Sequence, residues 1–100
     1  MKLVDLHPKW VASGGGLDGD GKPAPIRNGC GVEFDCPCGS GERRYVPFAV
    51  ALDGQPWDGG RGWQRTGDTF ETLKLTPSIW FRSGCCNWHG FITAGEVQSC

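Results

Sequence analysis

Gly84-Cys85-Cys86-Asn87-Trp88-His89-Gly90-Phe91, read with Cys36-Pro37-Cys38 upstream, is the stretch on which the reading of this chain turns. Two thiols two residues apart and, much later, a Cys-x-x-His have the ligand types and number of a closed tetrahedral zinc site. Directly beyond, Phe91-Ile92-Thr93, Ala94-Gly95 and Glu96-Val97-Gln98 read as a closing hairpin, with Gly available for a positive φ. A metal clip beside a hairpin predicts a small zinc-stapled β domain.

The segments upstream carry the same signature. Gly31-Val32-Glu33-Phe34-Asp35 alternates apolar and polar and runs as a short half-buried strand into Cys36. Arg44–Leu52 is a second strand-like run, with Pro47 marking an edge position or a bulge. Trp63–Thr66 and Thr69–Leu75 follow as strands, and in the latter Leu73 and Leu75 share one face. Thr76-Pro77-Ser78 reads as a turn or bulge before Ile79-Trp80-Phe81. Residues 14–29 and 53–62 are loop chemistry, rich in Gly, Pro, Asp and Asn. Asp18-Gly19-Asp20-Gly21 resembles the start of a calcium loop, but Gly29 stands where the twelfth-position Glu belongs. No segment has a capped, three-turn amphipathic helix. The fold class expected is all-β, or β-rich with at most one short helix: a small antiparallel sheet or barrel-like domain with long Gly/Pro loops.

One hundred residues hold one domain, 1–100, read as an N-terminal arm and loop over 1–29 and a zinc-stapled β core over 30–100. Gly 17 and Pro 7 favour irregular loops, whereas five Trp and five Phe bring enough buried area to order a compact chain. Such a small core calls for a staple. A cross-link closing the loop between Cys38 and Cys86 removes roughly 4 kcal/mol of denatured-state freedom. A structural zinc contributes on the order of 10–16 kcal/mol in small peptides. Either matters against a folding margin of about 5–15 kcal/mol.

The predicted metal ligands are Cys36, Cys38, Cys86 and His89. Cys85-x-x-x-His89 is an alternative register; Cys86 is preferred because adjacent residues point apart in an extended chain and a vicinal disulfide is strained. Ordinary buried cysteines beside a satisfied histidine would give the same letters. Cys30 serves as a spare ligand or a core residue, and Cys100 as an exposed terminal thiol. Four protein ligands close the site, and neither His-Glu-x-x-His nor a deaminase pattern occurs, so the metal is expected to be structural. Cys86 and His89 as a nucleophile pair explain nothing that a ligand pair does not. Glu33, Asp35 and Glu96 read as solvated strand positions and His7 as a surface or packing residue. A non-enzymatic protein with no catalytic residues is the expectation.

A net charge of −1 with no basic stripe argues against nucleic acid as the partner. No apolar run reaches membrane-spanning length, and Met1–Pro8 lacks a signal-peptide core. A reducing, cytoplasmic location follows, in which six cysteines act as ligands or free thiols rather than as a disulfide framework.

Three blocks also resemble a known family: Gly31-Val32-Glu33-Phe34-Asp35-Cys36-Pro37, Thr76-Pro77-Ser78-Ile79, and Gly84–Val97 with its Trp88-His89-Gly90-Phe91 centre. Together they are similar to small zinc-site proteins of tailed bacteriophages and prophages. Many of those have Cys-Pro-x-Cys where this chain has Cys36-Pro37-Cys38, and one cysteine where it has Cys85-Cys86, so the register of the ligands stays open. Some related bacterial proteins occur beside ubiquitin-like conjugation genes. The resemblance implies a zinc-binding phage accessory protein in the host cytoplasm, working by contact with a host or phage protein, an inhibitor of a defence complex being one version. A virion component, a zinc-dependent hydrolase and a nucleic-acid-binding zinc ribbon are the alternatives. Trp57 and Trp63 are the interface candidates.

Overall fold

Seven strands in two antiparallel sheets make up the computed structural model, which describes residues 1–13, 17, 19–23, 26–82 and 87–99. β1 (Lys9–Ser13), β2 (Arg27–Asp35) and β3 (Arg43–Pro47) form the first sheet, in that order. β4 (Gln64–Thr66), β5 (Lys74–Trp80), β6 (His89–Thr93) and β7 (Glu96–Ser99) form the second, also in chain order. The regular helix is confined to short 3₁₀ turns, Leu3–Leu6 and Asp58–Gly60, among the described residues. The all-β expectation holds.

Period-2 alternation explains the inner faces. Along β2 and just beyond it, Cys30, Val32, Phe34 and Cys36 are all buried. On β5 and β6, Leu75, Ile79 and Ile92 point the same way into one core with Val46 and Phe48. Leu3 and Leu6, carried on the first 3₁₀ turn, complete it from the N-terminus. The sheets are tied at both margins. Trp63 N–H donates to the Pro47 carbonyl at 2.9 Å, and Ala49 N–H to the Trp63 carbonyl at 2.8 Å. On the other side Leu3 N–H reaches the Gly95 carbonyl at 2.8 Å, and Val97 N–H the Met1 carbonyl at 2.7 Å. These contacts occupy backbone groups that open sheet edges would leave unpaired.

The closing hairpin is as read: Phe91 pairs with Gln98, and Thr93 with Glu96. Ala94 and Gly95 take φ of 48° and 75°, the left-handed pair that a tight two-residue hairpin demands. Three segments differ from the sequence reading. The run Arg44–Leu52, read as one strand, ends as β3 at Pro47 and continues in isolated bridges at Phe48 and Val50 before a turn. Arg27–Gly29, read as loop, extends β2, because Ser13 pairs with Arg27 after a register shift in β1. Thr69–Thr72, read as strand, is a turn closed by Thr72 N–H on the Thr69 carbonyl at 3.3 Å, with the Thr69 and Thr72 hydroxyls 2.7 Å apart. Hydroxyl side chains compete locally with the ladder, and here they win.

Candidate functional site

β5 is where the ladder breaks its register. Leu75 pairs with Ile92 and Ile79 with Gly90, so Thr76, Pro77 and Ser78 stand opposite Phe91 alone. The bulge expected at Thr76-Pro77-Ser78 is therefore present, inside one strand. Ser78 stands two residues before Trp80, and His89, the partner of Trp80, is its diagonal neighbour across the strands. The half-buried Ser78 has its Oγ 2.9 Å from Nε2 of His89.

Both members are held from outside the pair. The indole Nε1–H of Trp63 donates to the Ser78 carbonyl at 3.3 Å, fixing the bulge against a side chain packed on the core. His89 is the Cα partner of Trp80 across β5 and β6. Their rings stand 5.5 Å apart, tilted by 31°. Trp80 in turn donates Nε1–H to Asn87 Oδ1 at 2.8 Å. Phe81 N–H bonds the Trp88 carbonyl at 2.8 Å, which continues the β5–β6 pairing beyond Trp80. Trp88 is buried, stacks near Phe81 and donates to Ser99 Oγ at 2.9 Å. The Asn87-Trp88-His89 segment is thus bolted to the core one residue before the histidine.

A hydroxyl within hydrogen-bond reach of an imidazole nitrogen is the geometry of an activated serine: the imidazole accepts the proton as the oxygen attacks. Among the described residues no carboxylate pairs with His89.

Of the four ligands named from sequence, three lie among the described residues. Cys36 is buried at the end of β2, and Cys38 is exposed in the turn that Gly39 N–H closes on the Cys36 carbonyl at 3.1 Å. His89 lies on β6 with Nε2 directed at Ser78. Cys86, like Cys85 and Cys100, lies outside the described residues. Among the described residues no group of three or more His, Cys, Asp or Glu gathers as a metal site.

A second polar cluster sits on the first sheet. His7 Nδ1 and Asp35 Oδ2 are 2.7 Å apart, and Arg43 spans Asp35 at 3.0 Å and Glu33 at 3.1 Å. Glu33 and Asp35, read as solvated strand positions, are in fact tied to a cation. The hydrogen bond from His7, then that from Arg43, holds the Asp35 carboxyl below its ordinary value, and Asp35 raises Arg43. No hydroxyl or thiol among the described residues is bonded to His7, so this pair has no nucleophile. Trp57 and Trp63 are half-buried. The exposed aromatics are instead Trp80, Tyr45 and Phe91. No helix among the described residues is long and apolar enough to cross a membrane.

Sequence reasoning missed Ser78. Its signals were present: a serine beside proline in a predicted bulge, and a histidine on a strand expected nearby. Assigning that histidine to zinc concealed the connection.

A family model described as bacterial ubiquitination-like system serine protease (BubE) matches residues 20–100. No curated protein and no solved structure matches. The family overturns the expectation of a non-enzymatic protein with no catalytic residues. The expectation had rested on a closed four-ligand metal site with no open position for chemistry, and it gave no weight to a hydroxyl 2.9 Å from Nε2 of His89.

Proposed function

This chain belongs to the BubE family of bacterial ubiquitination-like system serine proteases, and from that membership we propose that it is a serine protease with Ser78 as nucleophile and His89 as general base. The observation that carries the reading is the 2.9 Å contact between Ser78 Oγ and His89 Nε2. With the neutral tautomer protonated at Nδ1, Nε2 accepts the Ser78 proton while Oγ bonds to the scissile carbonyl carbon. The imidazolium then returns that proton to the departing amine as the C–N bond breaks, leaving an ester on Ser78. Water, deprotonated by the same nitrogen, hydrolyses the ester and restores the serine. The substrate proposed is a protein of a bacterial ubiquitination-like system.

A fluorophosphonate probe tests this without knowledge of the substrate. Ser78 Oγ forms a bond to phosphorus, fluoride leaves, and His89 takes the proton. Mass spectrometry should find the adduct on Ser78. S78A should abolish it, and H89A should slow it at least about a hundredfold. An adduct elsewhere, or unchanged labelling of S78A, would sink the reading.

Zinc is proposed alongside as a structural staple, held by cysteines and not through Nε2 of His89. The tight Cys36–Gly39 turn supports it by bringing two thiols of one short segment into a single loop.

A further inference from the structure

We infer that Trp80 is the positioning residue for His89, its indole face supporting the imidazolium that forms when Ser78 gives up its proton. The inference rests on the Ser78–His89 reading above. In a three-membered serine site a carboxylate orients the base and stabilises its cationic form. Among the described residues His89 has no such partner. What stands beside it is an aromatic ring: the Trp80 centroid is 5.5 Å from that of His89, with the planes 31° apart. A cation within about 6 Å of an indole face is attracted by the ring's quadrupole, and Trp is the best of the aromatic residues at this.

The ring is placed to do this by its own partners. Trp80 and His89 are directly opposed across β5 and β6, so their side chains rise from the same side of the sheet. The indole N–H is spent on Asn87 Oδ1 at 2.8 Å, which fixes the rotation of the ring. Asn87 has φ of 51°, a conformation that Asn tolerates better than most residues, and its amide oxygen meets the N–H edge of the indole two residues before the histidine. Arg82 rests over the same indole, 4.7 Å from the centroid. Half of Trp80 is nonetheless exposed. An aromatic so large, left half in water yet clamped by three side chains, is poorly explained by packing alone.

Because the imidazole gains a proton as Ser78 gives one up, the ring's contribution is greater in the transition state than before the step. Losing it lowers kcat and leaves KM nearly unchanged. The test compares W80F and W80L with the wild-type chain, using p-nitrophenyl acetate turnover and the rate of fluorophosphonate labelling at Ser78. W80L removes the π face but keeps an apolar side chain. It should lose about 3- to 30-fold in kcat and in labelling rate, with KM within about twofold. W80F, which restores a face, should keep at least about a third of the wild-type rate. Thermal melting of all three should agree, since Trp80 is outside the core.

W80L labelling as fast as wild type, or W80F as slow as W80L at equal melting temperature, would overturn the inference. A drop carried by KM alone would make Trp80 a substrate contact and overturn it equally. The Ser78–His89 reading fails separately: it is lost if S78A still labels, whatever Trp80 does.

Discussion

Ser78 and His89 meet although the ladder does not pair them. His89 is the partner of Trp80, and Ser78 belongs to the three-residue bulge opposite Phe91. Continued from Leu75–Ile92 without a shift, the ladder would set Ser78 directly opposite His89; in the register of Ile79–Gly90 and Trp80–His89, His89 is instead its diagonal neighbour. Across that diagonal the hydroxyl lies 2.9 Å from Nε2. The segment of β5 that carries Ser78 is held at both ends, since Ile79–Gly90 and Leu75–Ile92 bracket it.

Residues that act as one unit lose activity once, not additively. S78A alone should reduce protease or esterase turnover about a thousandfold. The S78A/H89A double variant should be no slower than S78A to within about threefold. Neither change touches the core, so urea midpoints should match the wild type. A double variant much slower than either single change would mean that the two residues contribute independently.

Gly90 should be the least replaceable residue near the site. A methyl group there would collide with the Gln98 carbonyl oxygen and the Trp88 ring, and the former is backbone that cannot rotate away. G90A therefore has to push β7 from β6 or lift Trp88, at a cost of roughly 1–3 kcal/mol. Because His89 precedes it, the shift should also slow Ser78 labelling. A urea midpoint and labelling rate equal to wild type would show that the hairpin relaxes freely.

How much of this was legible follows from where the determinants lie. The hairpin at Ala94-Gly95 and the Leu73/Leu75 face rest on local rules, turn chemistry and two-residue periodicity, and both could be read directly. The Thr69–Thr72 turn was lost because two hydroxyls bonding each other look, in sequence, like two β-branched strand residues. The dyad was half visible. His89 drew notice for its neighbours Cys86 and Trp88, whereas Ser78 needed the pairing of β5 with β6, which no periodicity encodes. Chemistry set by the pairing of distant strands is the part that composition and spacing cannot carry.

Acid should loosen the first sheet through Asp35. Its carboxyl is held below the ordinary value of 3.8, first by the bond with His7 and then by Arg43. A depressed folded value means that the folded state favours the ionised form. The contribution is therefore full above that ordinary value and is lost as pH falls through the lower folded one. D35N should flatten the dependence of melting temperature on pH below about pH 4 and change little at pH 7 beyond a small uniform loss. Identical acid limbs for the two proteins would place the acid sensitivity elsewhere.

The ligand set expected from sequence and the protease proposal draw on the same imidazole, and that makes them separable. If cysteines such as Cys36, Cys38 and Cys86 hold the metal, His89 is left to serve Ser78. Purified protein should then carry about one zinc per chain, and H89A should carry the same amount while losing its labelling at Ser78. Chelation at neutral pH should lower the melting temperature by more than about 10 °C, because a small core loses its staple. C36A should reproduce the loss of metal, but Cys36 is also buried in the core, so its stability effect includes a cavity. The exposed Cys38 makes the cleaner variant: C38S should lower zinc affinity without disturbing packing. Zinc lost from H89A would return the histidine to the ligand set and take the base away from Ser78. A chelated sample that melts unchanged would remove the staple and leave the core, closed at both sheet margins, to hold the fold alone.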